Sequence, residues 1–382
     1  MPSMIPVRVL RCITRLNVGG PTRHVSLLME GLDTERYEQL LVHGTAGIDE
    51  GAGKLSVPGS SVHVPDLVRR IAPLRDRRAR RVLASLIAEQ SPHIVHTHQG
   101  KAGALARIEA ARAGTRAIVH TYHGHTFEGY FGALVGAAVR WVERRAARAS
   151  HALICQSPSQ ERDVLRVLGT AAEGRTRIIP PAIDVDAFSG ARSRRAAARR
   201  GLGVGADTRV ILLPARLVSI KRPMHAVDVV ASLVSHMDAV LVLAGDGPLR
   251  PEVAARARDL GLADRVRFLG WRVDLPDLYA AADLVLLTSA MEGTPLCLLE
   301  AMASGTSVAA PAVGGVGDLL GDDGVLLDPQ ATPLEWAGAL RPVIEDPDPA
   351  RAARAAARVR ESHAPRRLLE EIEALYGELS RA

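Results

Sequence analysis

Two glutamates eight residues apart, Glu292 and Glu300, flank the segment of this chain best suited to holding a polar ligand. Between them Thr294 has the side chain of a helix N-cap and Pro295 suits a first helical position, so a helix is expected to open there. Its free amides would lie at Gly293, Thr294 and their neighbours, with Glu292 just outside that end. Glu300 falls among Leu298, Leu299, Ala301, Met302 and Ala303, an apolar run in which a carboxylate needs a partner. A hydroxyl-rich ligand would supply one. Upstream, Arg216 and Lys221 flank the loop between a strand ending at Ala215 and a helix expected to run to His236. Two cations there are placed to hold a diphosphate. The plainer explanation, two solvated charges, is weakened because cations oppose the helix dipole at that end.

A second set of candidates lies in the first half. The loop Asn17-Val18-Gly19-Gly20-Pro21 follows a strand and leads to a helix expected over 25–31, so its glycines would let a backbone approach an anion closely. The turn alone could also require them. The dinucleotide spacing G-x-G-x-x-G follows no expected strand, and Gly201-Leu202-Gly203-Val204-Gly205 comes after an arginine-rich helix, which argues against a nicotinamide enzyme. His96, His98, His120, His123 and His125 crowd one region. His96 and His98 share a strand face, so a metal pair is conceivable, but no carboxylate or cysteine in these segments completes a site, and no metal is expected. Asp184-Val185-Asp186 and Asp346-Pro347-Asp348 carry an Asp-x-Asp spacing but are expected to be loops.

Short β-branched runs alternating with Ala/Leu/Arg-rich segments must position these residues. Strands are expected over 7–14, 39–43, 61–64, 93–97, 116–121, 152–155 and 176–180. After a break at Pro180-Pro181 and an Arg/Ala-rich stretch they resume over 209–215, 239–244, 265–269, 284–288, 307–310 and 324–327. That rhythm implies an α/β chain of two doubly wound parallel-sheet domains, 1–185 and 186–365, with a last helix over 366–382 expected to pack towards the first domain. In such folds ligands sit at the carboxyl ends of the strands, where the candidate loops lie.

At 382 residues, 47% hydrophobic and 24% charged, the chain has the balance of a globular protein, which excludes disorder and a fibrous fold. Three cysteines at spacings that fit neither a zinc motif nor a disulfide framework suit a reducing, cytoplasmic setting. The start of the chain has neither a signal-like core nor a membrane span. Residues 1–185 hold 25 Lys/Arg against 16 Asp/Glu, +9, which leaves 23 against 26, −3, for the rest. The basic clusters Arg69, Arg70, Arg75, Arg77, Arg78, Arg80, Arg81 and Arg140, Arg144, Arg145, Arg148 are either solvated helix faces or a surface for something anionic. With 3% aromatic residues, nucleic acid is not expected as a partner. An anionic membrane face or a phosphorylated substrate is the candidate partner, with Arg140, Arg144 and Arg148, spaced by four, expected on one helix face.

Taken together, the motifs resemble the retaining glycosyltransferases of family four, of the capsular and surface-polysaccharide type. Glu292-Gly293-Thr294-Pro295 to Glu300-Ala301-Met302-Ala303-Ser304-Gly305 is similar to their E-x7-E signature. Arg216, Lys221, the loop 244–249, the segment 268–271, Gly314-Gly315, the Gly19-Gly20 loop and the histidine segments 96–103 and 120–127 fall in the family's order. The resemblance implies a GT-B fold, two facing Rossmann-like domains with the active site in the cleft. It implies transfer of a sugar from a nucleotide diphosphate sugar, UDP-linked by expectation, to a glycan, lipid-linked or other hydroxyl acceptor, without metal or other cofactor.

In that scheme Arg216 and Lys221 neutralise the diphosphate, Glu300 takes the ribose hydroxyls and Glu292 the sugar. The amides of Gly293, Thr294 and Leu296, with Pro295 between them, help hold sugar and phosphate. His123 lies near the transferred sugar, Gly19 and Gly20 border the diphosphate, and Trp271 and Arg272 form the base loop. Glu292 is not assigned as a nucleophile, because a front-face route needs none. Ser307 in place of a common proline, and Val316-Gly317-Asp318 after the paired glycines, depart from the family pattern. A nucleotide-sugar epimerase of the same fold, or a non-catalytic nucleotide-sugar-binding subunit, is the alternative.

Overall fold

Thirteen strands form among the described residues, 6–47, 57–124 and 132–381 of the computed structural model. Each falls on a β-branched run marked by the sequence, and every pairing is parallel. The chain divides into two units, Met1–Pro181 with Pro365–Ala382, and Ala182–Ala364.

In the first unit β1 (Val7–Ile13), β2 (Tyr37–His43), β3 (Ser60–His63), β4 (Ile94–His98), β5 (Ala117–Thr121), β6 (Ala152–Cys155) and β7 (Thr176–Ile178) lie in the order β3-β2-β1-β4-β5-β6-β7. Helices α1 (Gly20–Gly31), α2 (Pro73–Gln90), α3 (Gly100–Arg112), α4 (Ala133–Arg148) and α5 (Pro158–Leu168) cross between them. Right-handed crossovers put α2 to α5 side by side on one face and α1 on the other. The core follows that parity: Leu10 and Cys12 of β1 pack with Leu83 and Ala102 of α2 and α3, while Ile13 packs with Val25 and Met29 of α1.

The second unit pairs β8 (Arg209–Leu213), β9 (Ala239–Ala244), β10 (Val266–Gly270), β11 (Leu284–Leu286), β12 (Ser307–Pro311) and β13 (Val325–Leu327) in the order β10-β9-β8-β11-β12-β13. Its helices are α6 (Val185–Phe188), α7 (Arg195–Gly201), α8 (Pro223–Leu233), α9 (Arg250–Asp259), α10 (Leu275–Ala281), α11 (Leu296–Ala303), α12 (Val316–Leu320), α13 (Pro333–Glu345) and α14 (Pro349–Ser362). Its middle strands, β8, β9 and β11, are apolar and buried almost end to end, as strands covered on both faces must be. The last helix, α15 (Pro365–Arg381), returns to the first unit, where it packs on α1.

Strand order reverses direction between β1 and β4 in one unit and between β8 and β11 in the other. These are the switch points where an open parallel sheet leaves a crevice at its carboxyl edge. Several expected boundaries shift. Helix α1 starts at Gly20, five residues before Val25, because Pro21 in its first turn is already set for the helix. Helix α8 stops at Leu233, short of His236. Asp184 and Asp348 lie in the expected connections, where they serve as N-caps of α6 and α14, accepting from the Ala187 and Arg351 amides, while Asp186 falls inside α6.

Candidate active site

At the β8/β11 switch point the loops after both strands are stitched together. The Ala290 amide donates to the Ile220 carbonyl at 2.8 Å, and the Thr288 hydroxyl donates to the carbonyls of Lys221 and Arg222 at 2.7 and 3.0 Å. Arg222 is held with φ 47°, a left-handed backbone that a non-glycine residue adopts only under such restraint. Lys221 ends a 3-10 turn just before it. The neighbouring 245–247 loop presses on the same segment: a Cβ on Gly245 would come within 2.1 Å of the Ala215 carbonyl oxygen, and one on Gly247 within 2.4 Å of that of Leu217. These two glycines are needed for the close packing that sets the loop carrying Arg216.

So held, Lys221 Nζ meets Glu292 Oε1 at 2.5 Å, with Glu292 almost fully buried. Burial opposes the Lys221 ammonium, yet the charge and hydrogen bond of Glu292 more than offset it. The lysine pKa ends above its usual value even with Arg216 near enough to push it down. Cys297 shares this surrounding: burial, then the charges of Glu292 and Glu300, push its thiol up to about 12, so it stays protonated.

Helix α11 begins at Leu296 with Pro295 as its N-cap, one residue later than expected. Thr294 does not cap it. Its buried hydroxyl has no hydrogen-bond partner among the described residues, and neither does that of Ser289 on the same loop. The Gly315 amide donates to the Gly293 carbonyl at 3.1 Å, joining the paired-glycine loop to this one. Glu300 is 2% exposed and its partner is protein: the Tyr279 hydroxyl donates to its carboxylate at 2.7 Å. A bound ligand is therefore not required to explain that burial, contrary to expectation. Trp271 and Arg272 follow β10, two strands from β8, and Arg272 is turned to Asp274 in an ion pair.

The β1/β4 crevice has different chemistry. Gly19 precedes α1 with φ 164°, an extended backbone open to any residue, and a Cβ there would meet nothing closer than Asn17 at 3.5 Å. Gly20 is the first residue of the helix. His98 Nδ1 lies 3.0 Å from His123 Nε2, and His24, which sequence inspection did not single out, joins them from α1. Ligand nitrogens of these three lie within 4.8 Å of one another, and both ring nitrogens of His24 and Nε2 of His98 are buried without a partner among the described residues. His96 is tied to the Tyr376 hydroxyl, the Arg11 guanidinium and the Thr121 hydroxyl at 2.7, 3.0 and 2.8 Å, while His120 points to the other sheet face, against Thr97 and Gly103. Burial, and then the neighbouring histidines and arginines, hold His24, His96, His98 and His120 well below the usual imidazole pKa. Burial likewise lowers His123. All five are neutral donors or acceptors at pH 7. Geometrically, His24, His98 and His123 could ligate an ion, but no carboxylate is in that group and the Arg11 guanidinium lies on the adjoining His96. His125 and the rest of that segment to residue 131 lie outside the described residues.

Two family models match the chain, Glycosyltransferase Family 4 over residues 18–187 and Glycosyl transferases group 1 over 194–360. The UDP-Gal:alpha-D-GlcNAc-diphosphoundecaprenol alpha-1,3-galactosyltransferase of Escherichia coli is 30% identical over 271 residues, 69% of this chain and 70% of that protein. This chain is a family 4 glycosyltransferase. A second relative of this glycosyltransferase is the D-inositol 3-phosphate glycosyltransferase of Kineococcus radiotolerans, 32% identical over 333 residues, 80% of this chain and 73% of that one. The fold is shared with Anabaena HepE, solved in complex with UDP, at a TM-score of 0.80 and 22% identity over 97% of this chain and 100% of that one. The two parallel sheets of the glycosyltransferase are thus those of the GT-B fold. No helix among its described residues is long and apolar enough to cross a membrane.

Proposed function

We propose that the enzyme transfers a sugar from a UDP-linked donor to a hydroxyl of a glycan or lipid-linked acceptor, with retention and without a metal, in the building of a surface glycan. The observation that carries this is the Lys221–Glu292 pair at the β8/β11 switch point, beside a helix start and two orphaned hydroxyls. A departing nucleoside diphosphate gathers negative charge while the sugar becomes oxocarbenium-like, so the site needs fixed cations and amides at the leaving oxygens. Lys221, kept charged by Glu292, and Arg216 fill that role. The amides of Gly293, Thr294 and Leu296 and the Thr294 hydroxyl assist them, with Pro295 fixing the turn. Glu292 exchanges its contact with Lys221 for the donor sugar as the diphosphate takes over the lysine. Glu300, oriented by Tyr279, receives the ribose hydroxyls, and Trp271 and Arg272 offer backbone to the base.

In the first unit Gly19 supports a role toward the diphosphate, because its own surroundings do not demand a glycine. His123 is assigned to the transferred sugar. The acceptor hydroxyl passes its proton to the departing phosphate, a step that asks for no enzyme nucleophile. The activity of the Escherichia coli relative, a UDP-Gal:alpha-D-GlcNAc-diphosphoundecaprenol galactosyltransferase, supports a UDP-sugar and a lipid-diphosphate-linked acceptor. Among the described residues no carboxylate joins the three histidines and the Arg11 guanidinium lies on the adjoining His96, which supports a metal-free reaction, and full activity in chelator is expected. A panel of nucleotide sugars, followed by nucleoside diphosphate release with and without polyprenyl-diphosphate-linked glycans, tests the proposal. Acceptor-dependent release with label in the acceptor supports it. A donor converted to its epimer without transfer makes the enzyme an epimerase, and nucleotide binding with no turnover on any acceptor makes it a binding subunit.

A further inference from the structure

The features that argue against magnesium or manganese at the β1/β4 crevice do not argue against a metal that prefers nitrogen. His98 lies on β4, His123 follows β5, and His24 comes to them from α1. The three ring centroids are 5.7, 5.0 and 5.3 Å apart, close to an equilateral triangle. With Zn–N bonds of about 2.0–2.1 Å at tetrahedral angles, three imidazole centroids stand about 5 Å apart, so the rings already have the spacing of a three-histidine zinc site. Their ligand nitrogens lie within 4.8 Å of one another and converge further if the rings turn. His24 can turn without breaking a hydrogen bond among the described residues, because neither of its ring nitrogens makes one there, and Nε2 of His98 is equally unengaged. Buried orphans of this kind call for a ligand. The place of His98 is fixed by His96, whose ring lies 4.4 Å away and is itself pinned by Tyr376, Arg11 and Thr121.

We propose that His24, His98 and His123 form a reversible site for zinc, or for a divalent cation of the same imidazole-seeking class, and that its occupation inhibits transfer. Imidazole suits zinc, nickel and copper, whereas magnesium, calcium and manganese seek carboxylate, carbonyl and water oxygens. All three histidines are neutral at pH 7, the form that ligates. His24 and His98 are buried and His123 is half-buried, so the fourth coordination position, left to water, opens on the His123 side. The charges of Arg11 and Arg367 act on His24 and oppose a dication, which keeps the site weak enough to release its ion. A metal held here catalyses nothing. It takes the lone pairs of the crevice and blocks the sugar assigned to His123. The inhibitory part therefore rests on the proposed function, while the binding part rests on the geometry alone.

The test uses the full chain, stripped with chelator and then titrated with zinc alone or magnesium alone. Equilibrium dialysis should find a zinc per chain that His24→Ala and His123→Ala lack, and no magnesium at the same concentration. Loss of a ligand should weaken binding by more than the about 10–100-fold that follows loss of a ligand's outer partner. Because His123 is half-buried, His123→Ala tests the site even if His24→Ala fails to fold. Zinc should raise the melting temperature of the parent and leave that of His123→Ala unmoved. Cobalt in place of zinc should give the intense visible bands of a four-coordinate ion, lost in the same variants. In the parent, zinc should stop sugar transfer and chelator should restore it. No zinc binding by the parent overturns the proposal, as does equal binding by parent and variants, or magnesium bound as tightly as zinc. Saturating zinc that leaves transfer unchanged overturns the inhibition, and with it the place of His123 beside the sugar. A chain that binds zinc as described but transfers no sugar would sink the proposed function while supporting the site.

Discussion

The two crevices occupy equivalent places in their sheets and hold opposite chemistry. At β8/β11 an ammonium and a carboxylate are locked at 2.5 Å, with a second carboxylate oriented by a tyrosine on the adjoining helix. At β1/β4 the cluster is imidazole, neutral and packed under a guanidinium, with nitrogens left over. A parallel sheet supplies only the place. The loop residues decide whether that place answers charge or the directed hydrogen bonds of a neutral polyol. A charged crevice suits a diphosphate leaving group, and a neutral one suits hydroxyls that must be turned without being ionised.

The largest way to break this contrast is to discharge the charged side. Lys221→Ala or Arg216→Ala should lower kcat by about 10²–10³, the effect of losing one donor at a developing anion. Steady-state turnover checks this, and near-parental rates in both variants would remove the assignment. Next in size is acid sensitivity of the neutral side. Four imidazoles buried with depressed pKa values stay unprotonated when folded, whereas the unfolded chain binds protons below about 6.5. Stability is then fully present above 6.5 and falls as pH drops. The slope approaches about 1.4 kcal/mol per pH unit for each histidine. Denaturant titrations from pH 7.5 to 5 measure it. A flat profile would mean that these histidines are not neutral by burial.

Smaller effects sharpen the contrast. Tyr279→Phe removes one donor from the buried Glu300 carboxylate and should cost about 1–3 kcal/mol of stability, with weaker nucleotide binding. Gly19→Ala should melt like the parent, since its Cβ has room, yet lose donor turnover. If turnover is also unchanged, nothing approaches the backbone there.

The sheets were legible because β-branched runs on a two-layer α/β rhythm leave little freedom, and all thirteen strands fall where expected. Local chemistry also revealed the loops, through Arg216, Lys221, Glu292 and the glycines. What stayed hidden depends on distant pairing. Nothing near Tyr279 announces that it will donate to a carboxylate 21 residues on. A single histidine on α1 looks like any core residue until β4 and β5 bring His98 and His123 to it. Of the arginines spaced by four on α4, Arg148 and Arg144 are exposed, but Arg140 is half-buried and Arg144 donates to the Val167 carbonyl, because Glu143, drawn inward by Arg107 and Tyr122, sets the rotation of the helix. The missed cap at Thr294 is a shift of one residue, but it leaves a hydroxyl available.

Calorimetric titration of UDP into the parent, Glu300→Gln and Glu292→Gln tests the donor assignment of the β8/β11 crevice most directly. Binding should be measurable in the parent, weakened about tenfold or more by Glu300→Gln, which replaces a charged acceptor of the ribose hydroxyls. Glu292→Gln should leave it near the parent value, because the sugar that Glu292 serves is absent from UDP. No binding by the parent, or a greater loss in Glu292→Gln than in Glu300→Gln, would contradict the assignment.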